Sequence, residues 1–432
     1  MTLVTYGLLI TLFWHFFWLG LFVREIILAK AFSFSCGYIF SQKRAQRTAN
    51  TLTTMNILID FTPVPVQKVG VGIYAFNLAR KIYELDKRNT YFILIQDDDA
   101  SLDHLNCERL KVIKVKSKIL RNDFMMVLFE QFIIPCLAFK YKISLIHSLH
   151  FSFPLLARAK KVVTIHDLTF FKIPACHRII NVFYFKLFIY LSSLFADKII
   201  TDSRSTLNDF LEIFKTDPRK TKVIYLAKND SLKPDMDREK IEQVKKKYCI
   251  EGEYLLFIGT IEPRKNVKNL ILAFAKFLRE NNAYKLVISG KKGWHYEEAL
   301  GFPKKLGLEK EIIFTGFISE DDKPCLLAGA KIFIYPSLYE GFGIPVLEAL
   351  ACGIPTITSN ISSMPEIAQD AALLIDPLNI EELYLSIKRL INDIDLYSSL
   401  KQKSIEQAKK FSWEKTALET LEVYNSFHDP MP

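Results

Sequence analysis

From Met55 onwards, short apolar runs alternate with longer segments whose apolar positions recur at helical spacing. In the first half the short runs are residues 57–59, 91–95, 111–115, 145–147, 162–165 and 198–201. In the second half they are residues 254–258, 285–288, 312–314, 332–335, 356–358 and 373–375. Helical spacing is clearest in residues 73–85, 266–279 and 380–391. Short buried strands that alternate with helices predict parallel sheets covered on both faces.

A polar segment separates the two series. Residues 226–240 are rich in Lys, Asp, Asn and Pro and contain few apolar residues, which is typical of a linker. We therefore predict two doubly wound domains, residues 55–230 and 231–410. In such domains, ligands bind outside the carboxyl ends of the strands, so we expect the functional site in the crevice between the two domains.

The first 54 residues form a separate segment. Residues 3–23 are almost wholly apolar, and about 20 apolar residues span a bilayer as a helix. Cations outnumber acids just after this run, so the positive-inside rule predicts that the rest of the chain stays cytoplasmic. A second interpretation remains open, because the sequence that begins at Met55 looks like the usual start of a two-domain enzyme. Residues 1–54 are then a dispensable extension.

Composition narrows the function classes. Half of the 432 residues are hydrophobic and 24% are charged, which allows a sizeable core and argues against wholesale disorder. Seven cysteines are scattered singly, which argues against a disulfide framework or a zinc site and favours a reducing compartment. The formal net charge of +10 fits phosphorylated ligands, an anionic membrane or nucleic acid. Because no RNA motif or zinc finger accompanies this charge, we expect no nucleic-acid partner.

The segment of residues 335–353 carries most of the candidate chemistry. Glu340 and Glu348 stand eight positions apart around a Gly-Phe-Gly turn that opens a short predicted helix. The backbone N–H groups of residues 342–344 then lie at the positive end of a helix dipole, which suits a phosphate or pyrophosphate. An anion cradle beside two hydrogen-bond-accepting carboxylates suggests a nucleotide sugar as the ligand.

This arrangement resembles the E-x7-E motif of retaining glycosyltransferases with the GT-B fold, in particular family GT4. Four further motifs in the family's order extend the resemblance from about Met55 to the C-terminus. They are Thr164-Ile-His166-Asp167, Gly259-Thr-Ile-Glu-Pro-Arg264-Lys265-Asn266, Phe314-Thr-Gly316-Phe317 and Ser362-Ser-Met-Pro-Glu366. The resemblance implies an α/β fold of two Rossmann-like domains that face an interdomain cleft. It also implies a final helix, within residues 411–432, that returns to the first domain.

The resemblance implies roles for individual residues. Arg264 and Lys265 are expected to stabilise a diphosphate leaving group, Arg264 through its planar fork and Lys265 as a point charge. Glu348 is expected to accept hydrogen bonds from ribose hydroxyls, and Glu340 from hydroxyls of the transferred sugar. His166, at the end of a predicted strand, is expected to reach the donor sugar across the cleft.

Other positions are expected to bind the donor or the acceptor. Besides Glu348, the expected donor contacts are Gly72, Gly259, Phe317, Ile318, Phe342, Gly343 and Ile344. Asp167 is expected to orient His166 or to contact the acceptor, and His150 to line the acceptor pocket. For His150 and the nearby His147, packing in the core or at the rim is an equal alternative.

No metal or cofactor is expected. The acidic triplet of residues 97–99 has the character of a metal site in GT-A transferases, but here a solvated loop explains it better. A glycosidase carboxylate pair is a rival interpretation of Glu340 and Glu348, although it leaves no use for the phosphate cradle. A nucleotide-sugar epimerase of related fold and a catalytically silent membrane-bound scaffold are further alternatives.

The sequence therefore predicts a retaining glycosyltransferase that moves a hexose to a saccharide or lipid-linked acceptor in surface polysaccharide or glycolipid synthesis. GDP-mannose is favoured over a UDP-hexose as donor, because two of the motifs resemble those of bacterial mannosyltransferases. The predicted location is the cytoplasmic face of a membrane, or the cytoplasm if residues 1–54 are no anchor. The basic and aromatic segment of residues 178–195 suits either a lipid surface or a core helix.

Overall fold

A computed structural model describes residues 54–64, 66, 70–120, 123–177 and 179–427, so the predicted anchor lies outside the described residues. The first half of the described chain forms a parallel sheet. Its strands are β1 (Asn56–Asp60), β2 (Thr90–Gln96), β3 (Leu110–Val115), β4 (Leu145–Ser148), β5 (Lys160–Ile165), β6 (Lys198–Thr201) and β7 (Thr221–Val223). The helices around it are α1 (Val71–Leu85), α2 (Ser117–Leu120), α3 (Asp123–Leu128), α4 (Ile134–Lys140), α5 (Thr169–Lys172), α6 (Ile179–Phe195) and α7 (Arg204–Phe214).

The second half forms another parallel sheet with its own helices. The strands are β8 (Glu253–Ile258), β9 (Tyr284–Ser289), β10 (Ile312–Gly316), β11 (Ile332–Tyr335), β12 (Thr356–Ser359) and β13 (Ala372–Ile375). The helices are α8 (Arg238–Lys247), α9 (Val267–Leu278), α10 (Glu297–Leu306), α11 (Lys323–Ala328), α12 (Ile344–Ala351), α13 (Met364–Ala368), α14 (Ile380–Asn392), α15 (Ile394–Ala408) and α16 (Trp413–Asn425).

Both sheets have the doubly wound strand order. The first sheet runs β3-β2-β1-β4-β5-β6-β7 and the second runs β10-β9-β8-β11-β12-β13. The order reverses between β1 and β4 and again between β8 and β11, and in open α/β sheets a ligand crevice lies at such a switch point. We therefore expect the ligand-binding residues in the loops that follow these strands.

The apolar runs form strands because both faces of each sheet are covered. All five central residues of β2 are buried, as are four consecutive residues of β8. Helix α9 turns Leu270, Ile271, Phe274 and Phe277 towards the second sheet, at the spacing of one helical face. The spacing of apolar residues in the sequence thus reflects the packing of helices against the sheets.

The predicted α/β fold of two Rossmann-like halves is confirmed, and each predicted strand is present. Strand β7 was not predicted, because it has only three residues and all three are partly exposed. Residues 224–237 contain no helix or strand, and they include most of the predicted linker. The predicted domain boundaries themselves stay predictions.

Hydrogen bonds join the two halves beside the crevice. The carboxylate of Glu366, which lies in α13, accepts from the backbone N–H groups of Arg204 at 2.9 Å and Ser205 at 3.2 Å. These are the first residues of α7, so Glu366 satisfies N–H groups that lack partners within the helix. The hydroxyl of Thr206 donates to the carbonyl of Gly341 at 3.2 Å. Helix α7 is therefore held against the turn that carries the first glutamate of the E-x7-E motif.

The last helix, α16, contacts the first half. The Trp413 ring lies 6.5 Å from the ring of Tyr74 in α1. The hydroxyl of Tyr424 lies 2.6 Å from Nδ1 of His147, whose Nε2 lies 2.8 Å from the hydroxyl of Thr164. His147 is fully buried, and burial together with the charge of His166 lowers its pKa to about 3. His147 is thus a core residue, as the packing alternative had it.

The buried His147 makes the stability of the fold depend on pH. Its ordinary pKa is 6.5, so between pH 6.5 and pH 3 the unfolded chain binds a proton there that the folded chain does not. The free energy of unfolding therefore falls as the pH falls through this window. We expect the loss between pH 7.5 and pH 5.5 to be about 1 kcal/mol smaller in a His147→Gln variant, measured from urea denaturation. Equal losses in both proteins would contradict a neutral His147.

Helix α6 is apolar on more than one side. It buries Phe188 and Ile189 and exposes Ile179 and Leu194. Its inner face is thus part of the core of the first half, while its outer face leaves the lipid-surface interpretation open. Among the helices of the described residues, none is long and apolar enough to pass through a bilayer.

Candidate active site

The Gly-Phe-Gly turn lies between β11 and α12. Gly343 has a φ of 97°, in the left-handed region that favours glycine, and Ile344 is the first helical residue. A Cβ atom at Gly343 would lie 2.2 Å from Cε of Met364, so no larger side chain fits without a shift. Pro345 follows in the first helical turn, and Gly353, with a φ of 68°, comes just past the helix end. The first turn of α12 presents N–H groups without intrahelical partners, as the cradle requires.

Arg264 and Lys265 reach the same place from the neighbouring strand. They lie in the 3-10 turn Pro263–Lys265 that follows β8, and β8 pairs with β11 at the switch point. The N–H of Leu338 donates to the carbonyl of Arg264 at 2.7 Å, and the hydroxyl oxygen of Ser337 lies 3.0 Å from the same carbonyl oxygen. The two loops at this edge of the sheet are therefore joined directly.

Glu340 is buried between these two cations. Its Oε2 lies 3.0 Å from Nη1 of Arg264, and its Oε1 accepts hydrogen bonds from Nζ of Lys265 and, at 2.7 Å, from Oγ of Ser337. Burial opposes ionisation of the carboxyl group, but Arg264 and Lys265 overcome this and lower the pKa of Glu340 to about 2. Glu340 is thus a carboxylate throughout the neutral range.

The cations are held on more than one side. Nε of Arg264 lies 2.5 Å from the carboxylate of Glu262, and Nζ of Lys265 lies 2.5 Å from the hydroxyl of Tyr335. Burial and the nearby Arg264 lower the pKa of Lys265, while Glu340 opposes this shift. Two cations and two carboxylates thus balance in charge and fix one another's positions. Cations fixed in this way stabilise negative charge without reorganising when it develops.

Glu348 lies one turn into α12 and pairs with Lys323, the first residue of α11. Nζ of Lys323 is 2.9 Å from Oε1 of Glu348 and 2.9 Å from the carboxylate of Glu320. Burial raises the pKa of Glu348, and the ammonium group of Lys323 opposes the rise. Burial also opposes the charge of Lys323, but Glu348 and Glu320 raise its pKa overall. The pair thus places a carboxyl group and its countercharge at the second end of the motif.

The first half contributes the ends of β5 and β6. His166 follows β5, and its Nδ1 lies 2.7 Å from Oδ2 of Asp202, which follows β6. Its Nε2 lies 2.9 Å from the carbonyl oxygen of Leu149. Asp167 accepts hydrogen bonds from the backbone N–H of Thr169 at 3.0 Å and from its hydroxyl at 2.7 Å. Asp167 thus supports the start of α5, while the His166 ring is held on both nitrogens.

These groups line one cleft between the two halves, with a volume of about 360 Å³. That volume lies within the range of small-molecule sites. The first half contributes a glycine, three apolar residues and three titratable ones: Gly70, Val71, Ile73, Leu226, His166, Asp167 and Asp202. The second half contributes the cations, the two glutamates, the helix start and the segment with the exposed ring of Phe317. Ligands in this cleft touch both halves.

The cleft brings most of the predicted site residues together. Those that line it are His166, Asp167, Gly259, Arg264, Lys265, Phe317, Ile318, Glu340, Phe342, Gly343, Ile344 and Glu348. Gly72 and His150 are not part of its lining. Gly72 is a buried residue in the first turn of α1, and the ring of His150 packs 4.6 Å from that of Phe151 and 5.5 Å from that of Phe185. Their positions favour packing over ligand contact.

Among the lining residues that were not predicted from the sequence, Asp202 and Lys323 pair with predicted ones. Asp202 follows a predicted strand beside the one that ends at His166, and this adjacency was the available signal. Lys323 stands in a polar segment that looks like ordinary surface, and only the fold reveals its partner Glu348. A side chain that pairs with another 25 positions away leaves no mark in local periodicity.

Two aspartates of the acidic triplet accept hydrogen bonds from backbone N–H groups. Asp97 accepts from the backbone N–H of Ser117 at 2.9 Å, and Asp99 accepts from that of Ser101 at 3.0 Å. In the portion of the chain that the structure describes, no group of three His, Cys, Asp or Glu side chains is placed to hold a metal ion. The metal-free reaction stays a prediction that only an assay can test.

Comparison with known proteins supports this picture. Residues 237–410 match the model of the glycosyl transferases group 1, and residues 69–228 match that of glycosyltransferase family 4. The chain is also 32% identical over 286 residues to the O-antigen chain mannosyltransferase B of Escherichia coli, which covers 66% of this chain and 74% of that protein. The chain belongs to the family 4 glycosyltransferases. The epimerase and scaffold alternatives are therefore not favoured.

Further similarities of this glycosyltransferase concern parts of longer proteins and the fold. It is 33% identical over 235 residues to the serotype-specific mannosyltransferase WbdA of Escherichia coli, which covers 53% of this chain but only 29% of that protein. The solved structure of HepE from Anabaena with UDP-glucose superposes with a TM-score of 0.69 at 19% identity, over 86% of this chain and 100% of that one. The latter likeness shows the GT-B fold.

The pairing of Lys323 with Glu348 leads to a prediction about nucleotide binding. A Lys323→Met variant leaves Glu348 buried without its cation, so the carboxyl group takes up a proton and accepts fewer hydrogen bonds. We expect the Kd for a nucleoside diphosphate to rise about 10- to 100-fold, measured by calorimetry. A Lys331→Met variant, which removes a cation that pairs with Glu253 outside the cleft lining, is the control with little change. Wild-type affinity in Lys323→Met would rule out this role.

Proposed function

We propose that this glycosyltransferase transfers a hexose, favoured to be mannose, from a nucleotide-diphosphate sugar to a saccharide or lipid-linked acceptor. The reaction keeps the anomeric configuration, and the product belongs to a surface polysaccharide or glycolipid. The observation that carries the proposal is the cleft in which Arg264 and Lys265, the start of α12 and the two motif glutamates converge.

The residues of the second half fit the parts of the donor. The cations and the N–H groups of residues 342–344 bind the diphosphate. Glu348 accepts hydrogen bonds from the ribose hydroxyls, and Glu340 accepts them from hydroxyls of the transferred sugar. Phe317, 43% exposed beside the cleft, lies next to Ile318 where the base binds. Nucleotide and sugar thus lie along the two loops that follow β8 and β11.

The chemical step is a displacement at the anomeric carbon. The bond between this carbon and the diphosphate oxygen breaks, and its electron pair leaves with the diphosphate. The acceptor hydroxyl forms the new bond from the same face, and its proton passes to the departing diphosphate. Arg264 and Lys265 stabilise the charge that grows on the leaving group. No nucleophile of the chain is required by this scheme.

Mannose is supported by the relatives that match the chain. The names of two of them, the O-antigen chain mannosyltransferase B and WbdA, describe mannosyltransferases. The HepE structure contains a UDP-sugar, which keeps a UDP-hexose as the competing donor. The donor base is therefore the first quantity to measure.

The test is nucleotide release by the purified protein from a panel of GDP- and UDP-sugars, with and without EDTA. We expect release from GDP-mannose, unaffected by EDTA, and a product whose anomeric configuration NMR shows to equal that of the donor. Release from UDP-hexoses alone would overturn the choice of mannose, and strict EDTA sensitivity would overturn the metal-free reaction. The variant Glu348→Gln, compared with the exposed Glu381→Gln, ties the activity to this cleft.

We further propose that the enzyme works at the cytoplasmic face of a membrane. The apolar run of residues 3–23, the cations that follow it and the partly exposed apolar face of α6 support this location. The test is fractionation of the full chain beside a chain that starts at Met55. If both chains remain in the soluble fraction, residues 3–23 are no membrane helix.

A further inference from the structure

Asp202 is a buried carboxylate in the cleft, and one of its oxygens lacks a hydrogen-bond donor among the described residues. It follows β6, is 2% exposed and lines the cleft together with His166. Its Oδ2 is bonded to His166, whereas its Oδ1 has no hydrogen-bond partner among the described residues. A buried carboxylate oxygen without a donor is costly, so a ligand hydroxyl or a water is expected to supply one.

The donors and acceptors around the His166 ring require a proton between Asp202 and His166. The carbonyl oxygen of Leu149 can only accept, so Nε2 of His166 carries the hydrogen of their 2.9 Å contact. The 2.7 Å contact between Nδ1 and Oδ2 then needs a second proton, because two lone pairs do not attract. The pair thus binds one proton more than a neutral imidazole beside a free carboxylate.

The surroundings of the pair bear on where this proton resides. The groups that face His166 are Asp202 after β6, Asp167 beside it in the chain, His147 in β4, His150 after β4 and Tyr74 in α1. Burial works against the imidazolium, but Asp202, the Leu149 carbonyl and Asp167 raise the pKa of His166 overall. Burial also raises the pKa of Asp202, while the charge of His166 and its hydrogen bond oppose that rise, so the two groups hold the extra proton jointly.

We propose that Asp202 holds His166 in its protonated form at the cleft and that Oδ1 of Asp202 accepts a hydrogen bond from a hydroxyl of the bound saccharide. The inference rests on the proposed function, because glycosyl transfer brings saccharides to this cleft. The hydroxyl comes either from the transferred sugar of the donor or from the acceptor. Both sources offer the same chemistry, and two assays separate them.

The test compares Asp202→Asn with Asp197→Asn in the full chain. Asp197 precedes the same strand and pairs with Lys160 at 3.0 Å, away from the cleft lining, so it is the matched control. We expect kcat/KM for transfer to fall about 10- to 100-fold in Asp202→Asn alone. If donor hydrolysis without acceptor falls equally, the hydroxyl belongs to the donor sugar. If hydrolysis is unchanged and the acceptor KM rises, it belongs to the acceptor.

A second readout follows the proton itself. NMR titration of the His166 ring should show an imidazolium that persists above pH 6.5 in the wild type and is lost at lower pH in Asp202→Asn. The alkaline limb of the kcat profile should move to lower pH in the same variant, which a purely structural role of Asp202 would not cause. Should Asp202→Asn fail to fold, Asp202→Ser is measured in the same way.

The outcomes separate this inference from the proposed function. Unchanged transfer together with an unchanged His166 titration in the variant overturns the role of Asp202. If the wild type releases no nucleotide from any sugar donor, the proposed function fails, while the titration of His166 still decides whether Asp202 holds its proton.

Discussion

Replacing Lys265 with alanine lowers the rate of glycosyl transfer by about 100- to 1000-fold, the usual cost of removing one group that stabilises developing negative charge. Lys265 is 6% exposed and its ammonium group bonds to both Glu340 and Tyr335, so its position is fixed before the donor arrives. The loss should appear mainly in kcat, because the charge on the diphosphate grows as the sugar bond breaks. Steady-state rates with a nucleotide-sugar donor measure it.

The matched control is Lys268→Ala. Lys268 lies three positions further on, 46% of its side chain is exposed, and it pairs with Glu298 outside the cleft lining. We expect its activity to stay close to that of the wild type, since exposed ion pairs contribute little. Activity of Lys265→Ala within tenfold of the wild type would remove Lys265 from the catalytic group.

A second variant distinguishes a loss of catalysis from a loss of folding. Alanine at position 265 leaves Glu340 with one cation instead of two, and a buried charge that loses a partner is destabilising. The double variant Lys265→Met with Glu340→Gln removes both charges and keeps similar volumes. We expect this protein to fold like the wild type and still to transfer sugar at least about 100-fold more slowly, because the diphosphate has lost one of its two cations.

The sequence reveals those parts of the site that lie within one segment or at the end of one strand. The two motif glutamates and the glycines between them are recognisable because the turn, the helix start and the helix end occupy nineteen consecutive positions. Arg264 and Lys265 are recognisable because they follow an apolar run that can only be a strand. Apolar runs of this kind also give the α/β layers of both halves.

Pairings between segments are what local pattern cannot supply. The partner of His166 is 36 positions away, and the partner of Glu348 is 25 positions away. Both pairs depend on which strands and helices become neighbours. A position at the end of a strand does not by itself predict a site residue. His147 lies near the end of β4 and His150 follows it, yet neither lines the cleft. His147 instead contacts Tyr424 in α16, and His150 contacts Phe185 in α6. Both helices come later in the chain than the two histidines.

Gly341→Ala should lower the rate of transfer by at least about 100-fold through a steric clash, with every charged group left in place. A Cβ atom at Gly341 would lie 1.7 Å from the carbonyl oxygen of His166 and 3.0 Å from Cβ of Asp167, both in the other half. The two halves must then separate, and a misplacement of about 1 Å already costs about 100-fold in rate. Because the clash is between the halves, each half keeps its own core.

The measurements are therefore transfer rate, denaturation midpoint and binding of a nucleoside diphosphate in the same variant. For Gly341→Ala we expect a rate at least about 100-fold lower, with a midpoint and a nucleotide Kd close to those of the wild type. Gly301→Ala is the control, because a Cβ atom there meets no atom within 4 Å in α10. Wild-type transfer by Gly341→Ala would mean that catalysis proceeds with the halves further apart. A weakened Kd would mean that residues of the first half already hold the nucleotide.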